Sequence, residues 1–193
     1  MILASQSPRR KELLQQIGLK FHVHPSLVEE HVDTSDPIQA VKELSFQKAS
    51  DVARQIHEER KKDECLVMGA DTIVVYDNQI LGKPDSSQHA KEMLQMLQGN
   101  EHSVCTGVTL VFINDHKVDV VTFAEETRVT MLPMTEEEIQ WYVDSKEPLD
   151  KAGSYGIQGL GARYIEKIQG DYNNVVGLPV SRIYQELKKR GMI

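Results

Sequence analysis

Apolar and polar positions follow two periodicities along this chain, and their succession predicts alternating strands and helices. Short apolar runs of the kind that form strands occur at residues 2–4, 21–24, 65–68, 73–76, 104–113, 118–130 and 162–168. Apolar residues three and four positions apart predict helices that begin near residues 8, 36, 86, 135 and 180. The runs on either side of residues 114–116 predict an antiparallel hairpin. Because hairpins interrupt the alternation, we expect a mixed sheet rather than a purely parallel one.

The start of the first predicted helix combines several features of an anion-binding site. Ser7 fits the N-cap and Pro8 the first helical position, where a missing N–H costs nothing. Unpaired backbone N–H groups and the positive end of the helix dipole then lie beside the guanidinium groups of Arg9 and Arg10. This corner is typical of a site for a polyphosphate or another multivalent anion. Taken alone, it is equally compatible with a well-capped surface helix whose arginines are solvated.

A glycine turn interrupts the buried strand that is predicted to begin at Cys65. The segment Gly69-Ala-Asp-Thr72 therefore predicts that Asp71 lies at a strand end, a common place for catalytic carboxylates in α/β proteins. Thr72 offers a hydroxyl to a ligand that binds beside Asp71. The segment is also compatible with an aspartate in a β-bulge that accepts hydrogen bonds from backbone donors.

Three other charged residues gain meaning only together with Asp71. Lys83 lies on a stiff Gly-Lys-Pro loop that lacks the P-loop pattern, and it can bind phosphate as a point charge. Lys48, in the second predicted helix, has the sequence context of an ordinary surface lysine. Glu30 is one of two adjacent glutamates, and it would form a hard-oxygen site for magnesium or manganese if it converges with Asp71.

Composition narrows the range of partners. The chain has 193 residues, a formal net charge of −7 and 26% charged residues. This acidic balance argues against a general nucleic-acid binder, whereas a local cluster of Arg and Lys still permits a small anionic substrate. No apolar stretch approaches the ~20 residues that span a bilayer, and the first residues lack the pattern of a signal peptide. We therefore expect a cytoplasmic protein with no membrane partner, in which Cys65 and Cys105 are reduced.

Several separate segments together resemble one protein family. They are Ala4-Ser-Gln-Ser-Pro-Arg-Arg10, Gly69-Ala-Asp-Thr72, Gly82-Lys-Pro84, Lys146-Glu-Pro-Leu-Asp-Lys-Ala-Gly153 with Tyr155-Gly-Ile-Gln-Gly159, and Val176-Gly-Leu-Pro179. They occur in the order found in the Maf family, and the resemblance covers essentially the whole chain. Maf proteins are nucleoside triphosphate pyrophosphatases that were first described as septum-formation inhibitors.

The resemblance implies both a fold and a reaction. The fold is a single elongated α/β domain over residues 1–193, like that of inosine triphosphate pyrophosphatases, with a mixed β-sheet flanked by helices and a cleft between two lobes. The reaction is hydrolysis between the α- and β-phosphates, which gives a nucleoside monophosphate and pyrophosphate. Arg9 and Thr72 resemble the branch that acts on dTTP and UTP, since the branch preferring 7-methyl-GTP typically has Trp and Glu there. Gln158 corresponds to a third specificity position.

A physical scheme assigns roles to particular side chains, and within it the resemblance implies the role of Asp71. Asp71 would accept the proton of the attacking water, and the catalytic lysines Lys48 and Lys83 would neutralise phosphate charge. The residues implied to bind substrate are Ser5, Arg9, Arg10, Thr72 and Gln158, the last two at the pyrimidine edge. A divalent metal cation, Mg²⁺ or Mn²⁺, would bridge phosphate oxygens and contact Glu30 and Asp71.

Two functions of different classes remain open at this point. The main hypothesis is a housecleaning hydrolase that removes modified pyrimidine nucleotides such as 5-methyl-UTP, or trims dTTP and UTP, with a link to cell-division arrest. The alternative is a nucleotide-sensing regulator of septum formation in which hydrolysis is incidental, although the intact set of carboxylates and cations favours the enzyme. A purine-directed pyrophosphatase is disfavoured by Arg9 and Thr72. The expected partner is a nucleoside triphosphate and not a nucleic acid, and the family is compatible with a homodimer.

Overall fold

The computed structural model describes residues 1–59, 64–114 and 117–193. Within these residues, the strands are β1 (Ile2–Leu3), β2 (His22–Val23), β3 (Cys65–Tyr76), β4 (Gln79–Leu81), β5 (Glu101–Asn114), β6 (Lys117–Met131) and β7 (Ile165–Gln169). The helices are α1 (Pro8–Gln16), α2 (Pro37–Glu59), α3 (Ser87–Leu97), α4 (Glu136–Asp144), α5 (Tyr172–Val176) and α6 (Val180–Lys189). Short 3₁₀ segments cover Glu147–Asp150, Ala152–Ser154 and Gly159–Tyr164.

The strands form one mixed sheet flanked by helices, as the sequence predicted. Its order is β2-β1-β3-β5-β6-β7, and β4 pairs with β3 beside this path. β1 is parallel to both β2 and β3, whereas β4 is antiparallel to β3 and β7 is antiparallel to β6. The consecutive strands β5 and β6 are neighbours, as expected for the predicted hairpin. Residues 115 and 116 of its predicted turn lie outside the described part of the chain.

Helix starts follow the capping residues that the sequence displays. Ser7 and Ser86 each accept a hydrogen bond from the backbone N–H three residues further on, at 3.5 and 3.1 Å. Thr135 and Glu138 form a reciprocal capping box at the start of α4. These contacts satisfy N–H groups that a helix cannot pair internally, so the sequence signal for each start is local and reliable.

The strand that carries Asp71 differs from the prediction. β3 runs without a break from Cys65 to Tyr76, so Asp71 lies inside a strand and not at a strand end. Gly69 serves a different purpose from a turn. A Cβ atom there would lie 2.4 Å from the Ser45 carbonyl oxygen and 2.6 Å from the Ala49 nitrogen. The glycine therefore allows the backbone of α2 to touch the sheet.

A second glycine, on β5, supports the same helix. A Cβ atom on Gly107 would lie 2.0 Å from the Val41 carbonyl oxygen. Beside this contact Ser45 and Thr109 place their hydroxyl oxygens 3.0 Å apart, and both side chains are buried. Close packing on two neighbouring strands thus fixes the height of α2 above the sheet.

The last part of the chain contains elements that apolar spacing did not predict. The strand expected at 162–168 begins only at Ile165, because the preceding six residues, Gly159–Tyr164, form a 3₁₀ helix. Helix α5 has only five residues, too few to show a helical period.

The described residues form two compact units. The first contains Met1–Asp71, Thr106–Glu125 and Gly177–Ile193, and the second contains Thr72–Cys105 and Glu126–Val176. An apolar core of the first unit is formed by Ile2, Ala4, Ala49, Val52, Ala53, Ile56, Val67 and Val111. The core of the second unit gathers β-strand residues around Met93, Leu94 and Leu97 of α3 and Tyr142 of α4. The predicted single domain and the cleft between lobes stay predictions. None of the described helices is long and apolar enough to cross a membrane.

The core of the second unit contains a histidine. His102 is only 3% exposed, and its Nε2 atom lies 2.7 Å from the Tyr155 hydroxyl. The two rings meet edge to face with centroids 5.2 Å apart. Burial lowers the pKa of His102 to about 4, so the imidazole is neutral at physiological pH.

Replacing Gly107 by alanine tests the packing of α2. Because the new Cβ would overlap backbone atoms that cannot move independently, we expect Gly107→Ala to lower the free energy of unfolding by about 3 kcal/mol or more. Chemical denaturation of both proteins measures this. A Cβ atom on Gly82 would meet no other atom within 4 Å, so Gly82→Ala serves as the control and should change the free energy of unfolding by less than about 0.5 kcal/mol. Equal stability of the two variants would contradict the assigned contact.

Acid should destabilise the protein through His102. The unfolded chain takes up this proton below about pH 6.5, whereas the folded chain resists it until about pH 4. The free energy of unfolding should therefore fall as the pH drops through this window, with His102 contributing about 3 kcal/mol. In His102→Gln that contribution disappears. Tyr155→Phe is the control that keeps the buried imidazole and its pH dependence, and identical profiles for wild type and His102→Gln would disprove the assignment.

Candidate active site

The corner at which the sequence predicts anion binding lies where β1 leads into α1. Ser5 is buried, and its Oγ accepts hydrogen bonds from the Ser7 backbone at 3.3 Å and from Arg10 Nη1 at 3.2 Å. Arg9 is half-buried on the first turn of the helix. Ser5 thus organises the corner from inside.

Arg10 is the buried charge of this corner. It is 9% exposed, and its Nε donates to the Gly177 carbonyl at 2.9 Å while Nη1 donates to the Ala70 carbonyl at 2.9 Å. Burial lowers the pKa of the Arg10 guanidinium, although the nearby Asp71 carboxylate favours the charged form. One side chain therefore joins the start of α1, the middle of β3 and the segment that leads into α6.

Lys48, Glu30 and Asp71 converge in the first unit. The Lys48 ammonium donates to Asp71 Oδ1 and lies 3.0 Å from Glu30 Oε1. The Lys48 and Asp71 side chains are each 15% exposed, whereas Glu30 is 45% exposed. Gly69 carries no side chain, so α2 packs onto β3 at Ala49. Lys48 immediately precedes Ala49, and Asp71 lies two residues after Gly69, so the Lys48 ammonium reaches the Asp71 carboxylate. Tight backbone packing thus positions this ion-pair centre.

The carboxylates of this centre suit a hard cation. Both already point at one positive charge, the Lys48 ammonium. Among the residues that the structure describes, no group of three or more His, Cys, Asp or Glu side chains could hold a metal ion. Mg²⁺ commonly uses one or two carboxylates and completes its shell with water and substrate phosphates, so the pair Glu30 and Asp71 fits such an ion. The described residues do not form a metal site built wholly from protein ligands.

Three predicted site residues belong to the second unit. Thr72 follows Asp71 on β3 and is half-buried. Lys83 is exposed, and the neighbouring Gly82 carbonyl accepts a hydrogen bond from Gly153 N at 3.0 Å. Gln158 is exposed immediately before the last 3₁₀ segment. The other six predicted site residues, Ser5, Arg9, Arg10, Glu30, Lys48 and Asp71, belong to the first unit.

Sequence reasoning missed Glu147 and Tyr142, two residues that lie before the glycine-rich segment (residues 153–161) and hold it in place. The Glu147 carboxylate accepts hydrogen bonds from the backbone of Leu160 and Gly161 at 2.8 and 3.1 Å, and from the Tyr142 hydroxyl at 2.9 Å. Gly161 is packed against the chain itself, since a Cβ there would lie 2.5 Å from the Tyr142 oxygen. The available signal was the position of Glu147 in a motif to which no role had been given.

Comparison with known proteins identifies the family. A family model described as Maf-like protein matches residues 1–190 of the chain. The chain belongs to the Maf family. A curated Maf relative from Agathobacter rectalis is 53% identical over 100% of this chain and 98% of its own length. One from Lachnoclostridium phytofermentans is 50% identical over 100% and 95%, and one from Bacillus cytotoxicus is 54% identical over 97% and 94%. All three relatives are named dTTP/UTP pyrophosphatase.

The structure gives physical reasons for several Maf segments. The segment with Gly69 lets a helix approach the sheet beside Asp71, and the segment with Gly177 supplies a carbonyl acceptor to Arg10. Gly177 has a φ of 127°, a left-handed value that favours glycine. These Maf glycines therefore shape the surroundings of the charged residues.

Replacing Arg10 by lysine tests whether its role depends on the planar guanidinium. A lysine has no Nε donor for the Gly177 carbonyl and leaves buried acceptors unpaired. We expect Arg10→Lys to lower the free energy of unfolding by about 2 kcal/mol or more. Arg54, which is 71% exposed and pairs with Asp51 at 3.3 Å, provides the control, since Arg54→Lys should change stability by less than about 0.5 kcal/mol. Similar small effects at both positions would contradict the bracing role of Arg10.

Proposed function

We propose that this Maf protein hydrolyses dTTP and UTP between the α- and β-phosphates and releases the nucleoside monophosphate and pyrophosphate. The observation that carries the proposal is the convergence of Lys48, Asp71 and Glu30 in one charged centre beside Arg10. Relatives named dTTP/UTP pyrophosphatase that match nearly the full chain support the substrate. Charged groups of both signs are what phosphoryl chemistry requires, since cations stabilise the phosphates while a carboxylate handles the proton of water.

In the proposed reaction Asp71 is the proton acceptor. The oxygen of a water molecule attacks the α-phosphorus, its proton passes to the Asp71 carboxylate, and the bond between the α-phosphorus and the bridging oxygen breaks. Pyrophosphate leaves with the electron pair of that bond. Lys48 is held by Asp71 and Glu30, which places a positive charge where it can stabilise the phosphates. Arg9 and Lys83 add charge to the bound triphosphate in the same proposal.

A divalent cation belongs to the proposal as well. Glu30 and Asp71 would hold Mg²⁺ or Mn²⁺, which when bound supplies further neutralisation of phosphate charge. The half-exposed Glu30 leaves room for the water and phosphate ligands that such an ion retains. Chelation of the metal should therefore remove activity, and readdition of either ion should restore it.

Base selection is assigned to Arg9, Thr72 and Gln158. The hydroxyl of Thr72 and the amide of Gln158 can each donate and accept hydrogen bonds, which suits the edge of a pyrimidine. Modified pyrimidine nucleotides such as 5-methyl-UTP present the same hydrogen-bonding edge and extend the proposal to housecleaning. A link to septum formation and cell-division arrest, a cytoplasmic location and a homodimer stay predictions.

A substrate panel tests the proposed reaction. With Mg²⁺ or Mn²⁺, dTTP, UTP and 5-methyl-UTP should release pyrophosphate, while CTP, 7-methyl-GTP, ITP and the standard purine triphosphates should release little. Pyrophosphate and orthophosphate are measured separately. Orthophosphate release would contradict the position of cleavage. Nucleotide binding without hydrolysis of any member would favour the regulator over the enzyme.

Asp71→Asn tests the proton acceptor. Asparagine keeps the shape of the side chain but lacks the carboxylate, so we expect kcat for UTP to fall at least about 100-fold. Nucleotide binding and the folded state should be retained, as measured by calorimetry and circular dichroism. Asp33→Asn, at an exposed carboxylate, is the matched control and should keep the wild-type rate. Substantial turnover by Asp71→Asn would remove Asp71 from this role. Division arrest on overexpression of that inactive variant would favour the regulator.

A further inference from the structure

The glycine-rich segment before β7 is held from both sides by two residues of the same helical region. On one side of Gln158, the Gly156 N–H donates to the Tyr142 hydroxyl at 3.1 Å. On the other side, the N–H groups of Leu160 and Gly161 donate to the Glu147 carboxylate. We name Tyr142 and Glu147 together the loop bracket.

The two residues of the loop bracket also hold each other. The Tyr142 hydroxyl donates to Glu147 Oε1 at 2.9 Å, so it accepts from the loop while it donates to the carboxylate. Lys151 Nζ donates to the Glu147 backbone carbonyl at 2.6 Å and ties down the start of the same segment. The chain of contacts therefore runs from Gly156 through Tyr142 and Glu147 to Gly161, and Gln158 lies between its ends.

Two glycines of the segment, Gly159 and Gly161, allow it to pack closely against Tyr142 and Glu147. Gly159 has a φ of 74°, and a Cβ there would lie 2.6 Å from Glu147 Oε2. Gly161 could not carry a Cβ either, since it would lie 2.4 Å from the Gly156 carbonyl oxygen. A side chain at Gly159 would push the Glu147 carboxylate away from the two N–H groups that it binds, and one at Gly161 would displace the Tyr142 hydroxyl.

Glu147 is negatively charged where it accepts these hydrogen bonds. Desolvation by itself would raise the pKa of Glu147, but hydrogen bonds from Leu160 and Gly161, and then from Tyr142, more than offset it, so the pKa lies below its usual value. The carboxylate is ionised at neutral pH. A charged acceptor makes stronger hydrogen bonds to backbone N–H groups than a neutral amide does.

We propose that Glu147, with Tyr142, is a positioning residue that sets the place of Gln158 and thereby the selection of the base. The Gln158 side chain is exposed and does not cap the 3₁₀ helix that follows it. Its position therefore depends on the backbone at its two sides, and both sides are anchored to the loop bracket. The inference rests on the proposed function, because it takes Gln158 as a residue that reads the pyrimidine.

The test uses Glu147→Gln in the full-length protein. The amide can accept at one atom only, so the Leu160 and Gly161 N–H groups should exchange with solvent at least about tenfold faster, as measured by NMR. The ratio of kcat/KM for UTP to that for CTP should fall about tenfold, while kcat for UTP stays within about threefold because Glu147 touches no reacting group. Glu166→Gln, at an exposed position on β7, is the matched control and should change neither readout.

Tyr142→Phe provides an independent variant that keeps the buried ring. It removes the anchor at Gly156 and one hydrogen bond to Glu147, so it should lower the UTP-to-CTP ratio in the same direction. The double variant should lose less than the product of the two single effects, because both changes disable one bracket. If Tyr142 and Glu147 only stabilised the fold, their replacement would lower the melting temperature and leave the UTP-to-CTP ratio of kcat/KM unchanged.

Separate outcomes distinguish this inference from the proposed function. Faster amide exchange in Glu147→Gln with an unchanged UTP-to-CTP ratio would overturn the positioning role, and so would unchanged exchange. If the wild type hydrolyses neither UTP nor dTTP, or if Gln158→Ala keeps the wild-type ratio, the proposed function or the role of Gln158 has failed. In that case the exchange measurement still decides whether the loop bracket holds the segment, with unchanged protection counting against it.

Discussion

A buried positive charge is the constraint on which the candidate site depends. The Arg10 guanidinium needs acceptors because it is almost wholly removed from water, and it finds them in Ser5, Ala70 and Gly177. These three partners come from distant parts of the chain. Satisfying one cation therefore aligns the start of α1, the strand that carries Asp71 and the entry to α6.

The second constraint is the close approach of α2 to the sheet. Gly69 and Gly107 leave no side chain under the helix, and its backbone rests almost directly on the strands. Lys48 consequently reaches Asp71, and Glu30 reaches Lys48 from the loop before the helix. The missing side chains at Gly69 and Gly107 thus decide where the ion pair between Lys48 and Asp71 forms.

The second unit positions its residues by a different means. Its glycine-rich segment follows no regular ladder, and side-chain acceptors replace the missing backbone partners. An irregular segment held by a carboxylate and a phenol can present an exposed side chain in one place. A side chain can be positioned without regular secondary structure when backbone N–H groups on both sides of it have fixed acceptors.

The sequence by itself determined the features whose causes are local. The cap at Ser7 and the apolar spacing near residues 86 and 135 marked helix starts because these signals span only a few residues, and five ordered segments marked the family. Only the tertiary structure decided the rest. A glycine that makes a turn and a glycine that makes room for a helix look alike, so the break predicted at Gly69 was wrong. Lys48 likewise resembled any surface lysine until the packing of α2 brought it to Asp71, because ion pairs between distant residues leave no periodic trace in a sequence.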